Sequence, residues 1–285
     1  MKYQIITDSC CDFTDQQYHD LGVTYAPLTV LFQGQARDNM NDPVELHHFY
    51  DGIRGGEMPT TSAVNPEGWV SIMKPILDAG EDVLCLAFSS GLSTTYQSAV
   101  IAAKEMEEVY PDRTIRVVDT LCAALGQGLL VWHASHKRAE GMGLDDLTAW
   151  VEENKLNVAH WVTVDDLNHL KRGGRISATT AFFGGMLNIK PIIHVDDQGH
   201  LINVAKTRGR KASMEYLAAK VGEDATDKET VFIGHGDCPE DAAVLETMLK
   251  ERYGVKNVIT GYVGGVIGAH TGPGVLVVFF MASKR

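Results

Sequence analysis

Short apolar segments with the character of β-strands alternate with longer helical segments through the first half of this 285-residue chain. Strands are predicted at 3–7, 24–31, 82–88 and 115–119, and helices at 66–79, 95–109 and 123–139. Such alternation is typical of βαβ units, whose strands form a mostly parallel sheet with helices on both faces. Ligands bind outside the carboxyl ends of the strands in these sheets. The segments 89–95 and 119–126 follow strands at that end, so we expect them near a ligand.

The second half of the chain has a different pattern and predicts a second domain. A helix expected at 144–153 ends the first domain. Beyond it, helices are expected near 211–221 and at 239–253, and strands at 161–164, 191–195, 200–205, 230–234, 258–263 and 274–281. The turn Asp196-Asp197-Gln198-Gly199 joins two of these strands, so part of this sheet is antiparallel. The fold class is therefore α/β with two domains: residues 1–157 with a Rossmann-like, mostly parallel sheet, and residues 158–285 with a mixed sheet.

The composition narrows the class of protein. With 45% hydrophobic and 22% charged residues, the chain has the make-up of a soluble globular protein. A formal net charge of -12 disfavours general binding to nucleic acid or anionic membranes. No apolar run reaches the roughly 18 residues of a spanning helix, and residues 1–8 do not have the pattern of a signal peptide. The five cysteines form no C-x-x-C, so we expect a cytoplasmic protein with reduced thiols and at most transient membrane contact.

Two hydroxyl-rich segments, 58–62 and 89–95, adjoin predicted strands or helices and offer donors that carry no formal charge. Neutral donors that converge on one place suit a carboxylate. The alternative for Thr94 is structural, because Thr94-Thr95-Tyr96-Gln97 has capping-box spacing. The two interpretations are compatible, since a helix N-terminus is also a natural anion site. Ser93 is then expected to face the ligand while Thr94 caps the helix.

A glycine-rich segment at 268–274 holds a single histidine, His270. Glycines relieve steric limits on the backbone, so we expect a loop in which the chain approaches a ligand closely. A surface histidine with no ligand is the alternative. The spacing of the glycines matches neither a Walker A loop nor a dinucleotide-binding fingerprint.

Basic clusters at 171–175 and 206–211 stand out against the acidic background. Solvated turns are one explanation for them, and bidentate contacts with phosphate or with an acidic partner surface are the other. We expect no metal site: His47 and His48 are adjacent on a predicted helix and so point apart.

Several ordered motifs of this sequence together resemble the DegV family of bacterial fatty-acid-binding proteins, which includes the acyl-carrying subunits of fatty acid kinase. The motifs are Ile6-Thr7-Asp8-Ser9, Pro59-Thr60-Thr61-Ser62, Ser89-Ser90-Gly91-Leu92-Ser93, Leu170-Lys171-Arg172-Gly173-Gly174-Arg175-Ile176, Ile189-Lys190-Pro191-Ile192 and His270-Thr271-Gly272-Pro273-Gly274. The resemblance implies two α/β domains that bury a long-chain fatty acid and present it to a fatty acid kinase for acyl-phosphate formation, feeding phospholipid synthesis.

The resemblance also implies roles for individual residues. The carboxylate of the fatty acid is expected at Thr61, Ser62, Ser93, Thr94 and His270, as listed in the matching motifs. Arg172, Arg175 and Arg208 are expected to face the kinase partner. No cofactor, metal or catalytic residue is implied, only the bound fatty acid. Departures from the family pattern are Thr94 for a usual glycine, Ala63-Val64 for a usual Gln-Pro, and Leu121 and Cys122 for small polar residues.

An enzyme is the alternative hypothesis, with His270 and the hydroxyl-rich segments acting on a small carbonyl or phosphorylated substrate. Against it, the sequence has no nucleophile elbow, metal cluster or nucleotide-binding loop. A third hypothesis is a regulatory or scaffold protein, which requires the basic clusters to bind a partner while the interior stays free of ligand.

Overall fold

The computed structural model describes residues 2–38, 40–177 and 188–285 and contains two principal β-sheets and one small one. The α/β fold class, with one parallel and one mixed sheet, is confirmed. The second principal sheet begins at Val158. The main apolar core contains residues of both halves, from Ile5 and Leu84 to Phe232 and Phe279, so the two sheets pack as one body.

The first principal sheet is parallel throughout, in the order β2-β1-β6-β7. Its strands are β1 (Tyr3–Asp8), β2 (Val23–Ala26), β6 (Asp82–Ala87) and β7 (Ile115–Asp119). The helices of this half are α1 (Asp15–Leu21), α2 (Pro43–Arg54), α3 (Pro66–Asp78), α4 (Thr95–Val109), α5 (Leu125–Ala139) and α6 (Leu144–Asn154). Asn65 caps α3 by accepting from the Gly68 amide, with Pro66 in the first turn.

The prediction of one strand over 24–31 is wrong. The chain forms β2 and then β3 (Thr29–Phe32), which joins β4 (Gln35–Asp38) and β5 (Thr60–Ser62) in a small antiparallel sheet. Pro27, between the two strands, has no amide hydrogen to continue the ladder. The next amide, Leu28 N–H, donates to Ser9 Oγ at 2.9 Å, outside any sheet. The small sheet carries Thr61 away from β1 and over the second half of the chain.

The second principal sheet is mixed, in the order β10-β9-β8-β13-β11-β12, with only β11 and β12 parallel among its described pairings. Its strands are β8 (Val158–Thr163), β9 (Ile189–Val195), β10 (Leu201–Arg208), β11 (Thr230–His235), β12 (Asn257–Tyr262) and β13 (Leu276–Met281). The helices of this half are α7 (Asn168–Arg172), α8 (Arg210–Asp224), α9 (Pro239–Tyr253) and α10 (Gly265–Thr271).

The prediction of a loop throughout 268–274 is wrong in its first part, because α10 continues to Thr271. Helical amide bonds such as Gly268 N to Gly264 O, 2.8 Å, hold this segment. Gly268 also lies where a Cβ would meet the Tyr50 hydroxyl oxygen at 2.5 Å, so this glycine permits close packing rather than a turn. The helix fixes the direction of the His270 side chain.

Helix α5 lies between the two principal sheets. Gln127 Nε2 donates to Thr7 Oγ1 of β1 at 3.0 Å. On its other side, a Cβ on Gly126 would lie 2.3 Å from His160 Nε2 of β8, so only glycine allows this approach. Helices α8 and α9 cover the opposite face of the second sheet through a separate apolar core. One face of β8, β9 and β13 is thereby left to form the floor of a cavity beside α5.

Candidate functional site

The floor of the cavity is a grid of apolar side chains on neighbouring strands. Val277 of β13 is the register partner of Val162 on β8, and Val162 is the partner of Ile193 on β9. The next row along the strands is formed by Phe279 and His160, with Val195 and Leu201 beside them. All of these side chains line the cavity. Strand residues two apart point to the same face of a sheet. The two rows therefore succeed one another along the floor, starting from Val275, which lies just before β13 and also lines the cavity.

Loops from the first principal sheet form the opposite wall. Ser90 and Leu92 come from the segment after β6, and Ala123 and Ala124 from the segment after β7. These segments leave the carboxyl ends of their strands, so the prediction of a ligand site there agrees with the geometry. The cavity has a volume of about 600 Å³, which is within the usual range for small-molecule sites. Its lining is mainly apolar, and we call this cavity the slot.

Polar side chains gather at one end of the slot, which we call the head-group end. Thr61 on β5 and His270 on α10 are joined by a hydrogen bond of 2.8 Å between Thr61 Oγ1 and His270 Nε2. Ser93 and Thr94 line the same cavity from the segment before α4. Residues that are 209 positions apart in the sequence therefore present uncharged donors together.

The pKa of His270 is lowered to about 4, first by burial and then by the positive charge of Arg175. The imidazole is therefore neutral at pH 7, and its hydrogen bond to Thr61 joins two uncharged groups. A base with so low a pKa is poorly matched to general base catalysis at neutral pH. Gly173 lies against the ring, where a Cβ would be 2.2 Å from Nδ1. The Gly-Gly-Arg segment thus packs directly on the histidine.

At the start of α4 the capping bond is made by Ser93 rather than by Thr94, and both residues line the cavity. Thr94 makes no side-chain capping bond, whereas Ser93 Oγ accepts from the Thr95 amide at 3.2 Å. Ser93 Oγ also lies 2.8 Å from Thr95 Oγ1. Thr94 is exposed and lines the cavity. Thr94 occupies the N-cap position that the capping-box spacing requires, but its backbone, at φ -80° and ψ 3°, is not the extended conformation in which an N-cap hydroxyl reaches the first-turn amides.

Ser62 is not brought to the cavity. It follows Thr61 on β5, and successive residues of a strand point to opposite faces. Ser62 is exposed and lies outside the cavity lining, while Thr61 is half-buried within it. The geometry of β5 therefore favours Thr61 over Ser62 as a contact for the carboxylate.

The three arginines expected to face a partner occupy different places. Arg172 is exposed on α7, where Nη2 lies 2.8 Å from His169 Nδ1. Arg208 is exposed at the end of the edge strand β10. Arg175 is half-buried and lines the cavity, and its Nε donates to Leu92 O at 3.3 Å. Arg175 therefore belongs to the wall of the slot as well, and a contact with a partner stays a prediction for all three.

Sequence reasoning missed two polar residues of the lining, Gln97 and His160. His160 has both ring nitrogens satisfied: Nδ1 donates to Val158 O at 2.9 Å, and Nε2 accepts from the Ala123 amide at 3.2 Å. Burial lowers the pKa of His160 well below its usual value. No local signal marks such a histidine, because its neutral state depends on burial and on the Ala123 amide, which comes from another segment of the chain.

One group of potential metal ligands occurs among the described residues, formed by His47, Asp51 and Asp237. His48 is not a member, in keeping with its direction on α2. Asp237 already accepts from His47 Nδ1 at 2.9 Å and pairs with the guanidinium of Arg54. The guanidinium of Arg54 thus already supplies a positive charge beside Asp237. This group of residues links α2 to the loop before α9.

A mainly apolar slot with polar side chains at one end suits an amphipathic ligand. A family model described as "Uncharacterised protein, DegV family" matches residues 2–283, and the chain belongs to that family. A DegV domain-containing protein of Clostridium perfringens is 43% identical over 287 residues, which cover 100% of this chain and 99% of that protein.

Solved structures have the same fold. A DegV family protein from Thermus thermophilus, described by its fatty acid binding, has a TM-score of 0.86 and 30% identity, with 99% of this chain and 100% of that chain covered. The Fak B3 protein of Streptococcus pneumoniae fatty acid kinase, loaded with linoleic acid, also has a TM-score of 0.86, covering 99% of this chain and 100% of that chain. Its identity of 17% shows the fold alone. The DegV fold thus binds fatty acids in crystal structures.

Within the described ranges, none of the helices is both long and apolar enough to cross a membrane.

Proposed function

We propose that this protein binds a long-chain fatty acid in the slot and presents its carboxyl group to a fatty acid kinase. The proposal is carried by one observation: the apolar rows of the floor and the hydrogen-bonded pair of Thr61 and His270 line the same cavity. The tail lies along the floor of β8, β9 and β13, and the carboxylate lies at the head-group end. The family relationship and the fatty acids bound by solved relatives support this assignment.

The tail supplies the larger share of the binding free energy. A sixteen-carbon acid has about 14 methylenes at about 0.8 kcal/mol each, or about 11 kcal/mol of gross transfer free energy. Two or three hydrogen bonds between neutral groups and the head group add about 1 kcal/mol each. Association and ordering of the tail cost several kcal/mol of this total. Affinity therefore comes from the floor, and orientation comes from the head-group end.

Uncharged donors suit a carboxylate that must react later. Thr61, Ser93 and Thr94 supply hydroxyls, and the neutral imidazole of His270 adds a fourth polar group. In the proposed reaction, a carboxylate oxygen attacks the terminal phosphorus of a nucleoside triphosphate held by the kinase. The products are an acyl phosphate, which remains on this protein, and a nucleoside diphosphate. Acyl phosphates of this kind would feed phospholipid synthesis.

The basic residues beside the slot are the proposed contact with the kinase. Arg172 is exposed on α7, and α7 leads through Gly173 to the ring of His270. Arg208 lies exposed on β10. Guanidinium groups favour bidentate contacts with carboxylates and phosphates, so these side chains suit an acidic partner surface. The Fak B3 protein, which has the same fold, is described as a protein of fatty acid kinase, and this favours a kinase as the partner.

The first test is mass spectrometry of the purified protein, native and then after denaturation with organic extraction. We expect a near-stoichiometric long-chain fatty acid. The second step mixes the loaded protein with a fatty acid kinase and ATP and measures acyl phosphate, with each protein alone as a control. An empty protein that takes up no added fatty acid would contradict the proposal. Turnover of a small carbonyl or phosphorylated substrate without kinase would favour the enzymatic alternative for His270.

A further inference from the structure

The row of Phe279 and His160, which is the row farther from His270 along the strands, lies against the segment 120–124 that follows β7: the Ala123 amide donates to His160 Nε2 at 3.2 Å, and Ala123 and Ala124 line the slot. We call this the far end of the slot. Two residues of this segment have positive φ although neither is glycine: Leu121 at 54° and Ala124 at 54°. Ala124 combines this φ with ψ of -150°, a region in which a Cβ is strongly disfavoured. Such backbone persists only where surrounding contacts impose it. The wall that Ala123 and Ala124 present to the slot is therefore held from outside.

The side chain of Arg285 supplies much of this hold. Its Nη1 donates to Leu121 O at 2.7 Å, and its Nη2 lies 3.1 Å from Cys122 Sγ. The same guanidinium donates to Lys155 O at 2.8 Å, Asp196 O at 3.0 Å and, through Nε, Val158 O at 3.1 Å. One side chain thus joins the strained segment to the start of β8 and to the turn after β9.

Four of these five partners lie within two residues of a side chain that lines the far row. Leu121 and Cys122 precede Ala123, Asp196 follows Val195, and Val158 is two residues before His160. The positive charge of Arg285 also contributes to the low pKa of His160. Other contacts assist: the Ala123 amide donates to His160 Nε2, and the Ser89 amide donates to Cys122 O at 3.1 Å. Arg285 therefore lies directly behind the end wall.

We propose that Arg285 is a positioning residue that fixes the far wall of the slot and thereby sets the longest acyl chain that the protein accepts. This inference rests on the proposed function. A guanidinium is suited to the role because its five N–H groups have a rigid planar arrangement that holds several carbonyls at once. Without it, the segment 120–124 relaxes from its strained backbone, and space opens beyond the row of Phe279 and His160.

The test compares the wild-type protein with Arg285→Ala, Arg285→Lys and Arg113→Ala. Arg113 is the matched control, because it also donates to a backbone carbonyl, Gly80 O at 2.5 Å, but lies away from the slot. Each protein, freed of lipid, is incubated with an equimolar mixture of saturated acids of twelve to twenty-two carbons. The bound acids are then identified by native mass spectrometry and extraction, and thermal stability is recorded in parallel.

The quantity compared is the amount of bound acid two carbons longer than the wild-type optimum, divided by the amount of bound acid at that optimum. For Arg285→Ala we expect this ratio to rise by about tenfold, because two more methylenes are buried. Arg285→Lys, with fewer donors, should shift the ratio less, and Arg113→Ala should leave it unchanged. If Arg285→Ala is too unstable to purify, Arg285→Lys decides the matter by the same ratio.

An unchanged distribution of chain lengths with a lowered melting temperature would overturn the inference, since it would show a structural role only. A uniform loss of all chain lengths would overturn it as well. Failure of the wild-type protein to bind any acid contradicts the proposed function itself, so the two failures are distinguishable.

Discussion

The floor of the slot and its head-group end differ in how the chain builds them. The floor uses side chains of three adjacent strands, including Val162 and Val277, whose positions follow from one register. The head-group end uses Thr61 from a small separate sheet and His270 from a seven-residue helix, each placed by different contacts. The first region is a continuous surface suited to a long tail. The second is a group of side chains from separate elements, and its geometry depends on several independent packing contacts. We expect it to orient the carboxylate, while the floor supplies most of the binding free energy.

The largest expected effect is on the floor. Val277→Phe places a larger side chain in the middle of the slot without burying a charge. Exclusion of three or four methylenes at about 0.8 kcal/mol each weakens binding of a sixteen-carbon acid by about a hundredfold. The measurement is a fluorescence displacement titration. An eight-carbon acid serves as the internal control, and an equal loss for both acids would contradict a role confined to the tail.

Changes at the head-group end should be smaller. Thr61→Ala and His270→Ala each remove one neutral hydrogen-bonding group, so we expect affinity to fall about fivefold. The double variant should lose less than the product of the two, because the residues share a hydrogen bond. Calorimetric titration of the three variants measures this coupling.

Ser62→Ala is the matched control for Thr61→Ala, because Ser62 is the exposed neighbour on the opposite face of β5. Its affinity should equal that of the wild-type protein. A loss as large as that of Thr61→Ala would show that the strand does not separate the two residues as described.

Arg172→Ala should separate presentation from binding. We expect unchanged fatty acid affinity and a rate of kinase-dependent phosphorylation about tenfold lower, the order expected for loss of a charge-assisted contact. The readout is acyl phosphate formed at a limiting concentration of loaded protein. Arg252→Ala, an exposed arginine on α9, is the control. If Arg172→Ala also lowered the affinity for fatty acid, the proposed separation of kinase contact from fatty acid binding would be contradicted.

The smallest effect concerns pH and stability. Because the pKa of His270 is about 4 in the folded protein and near 6.5 when unfolded, the unfolded state binds more protons between these values. The stability that the neutral imidazole contributes is present above pH 6.5 and is lost as the pH falls toward 4. Urea unfolding at pH 7 and pH 5 should therefore show a decrease about 1 kcal/mol larger for the wild-type protein than for His270→Ala, after allowance for partial exposure. Equal decreases would show that His270 titrates normally.

Much of the secondary structure is local enough to be predicted from sequence. Helix α9 matches its prediction, because Pro239 begins it and Gly254 ends it in the left-handed conformation. Helix α3 begins as expected at the Asn65-Pro66 cap. The predictions for 24–31 and 268–274 are wrong for different reasons. Pro27 interrupts the strand ladder at 24–31, whereas the glycines of α10 allow close packing rather than turns.

Residue roles at the site were predicted less completely, for a physical reason. The resemblance placed Thr61, Ser93 and His270 in one group, and the structure brings them to one cavity. It did not distinguish Thr61 from Ser62, because that choice depends on which face of β5 turns toward α10. Nor did it place Arg175 in the wall, where the guanidinium lowers the pKa of His270.

The sequence by itself determined the alternation of strands and helices, the two sheets and the family, because these follow from periodicity and from ordered local motifs. Only the tertiary structure decided that Thr61 meets His270, that His160 is neutral and fully hydrogen-bonded, and that Arg285 donates to the carbonyl of Leu121 behind the wall of the slot. These features join residues from different segments of the chain. Their energies depend on burial and on partners that packing alone supplies.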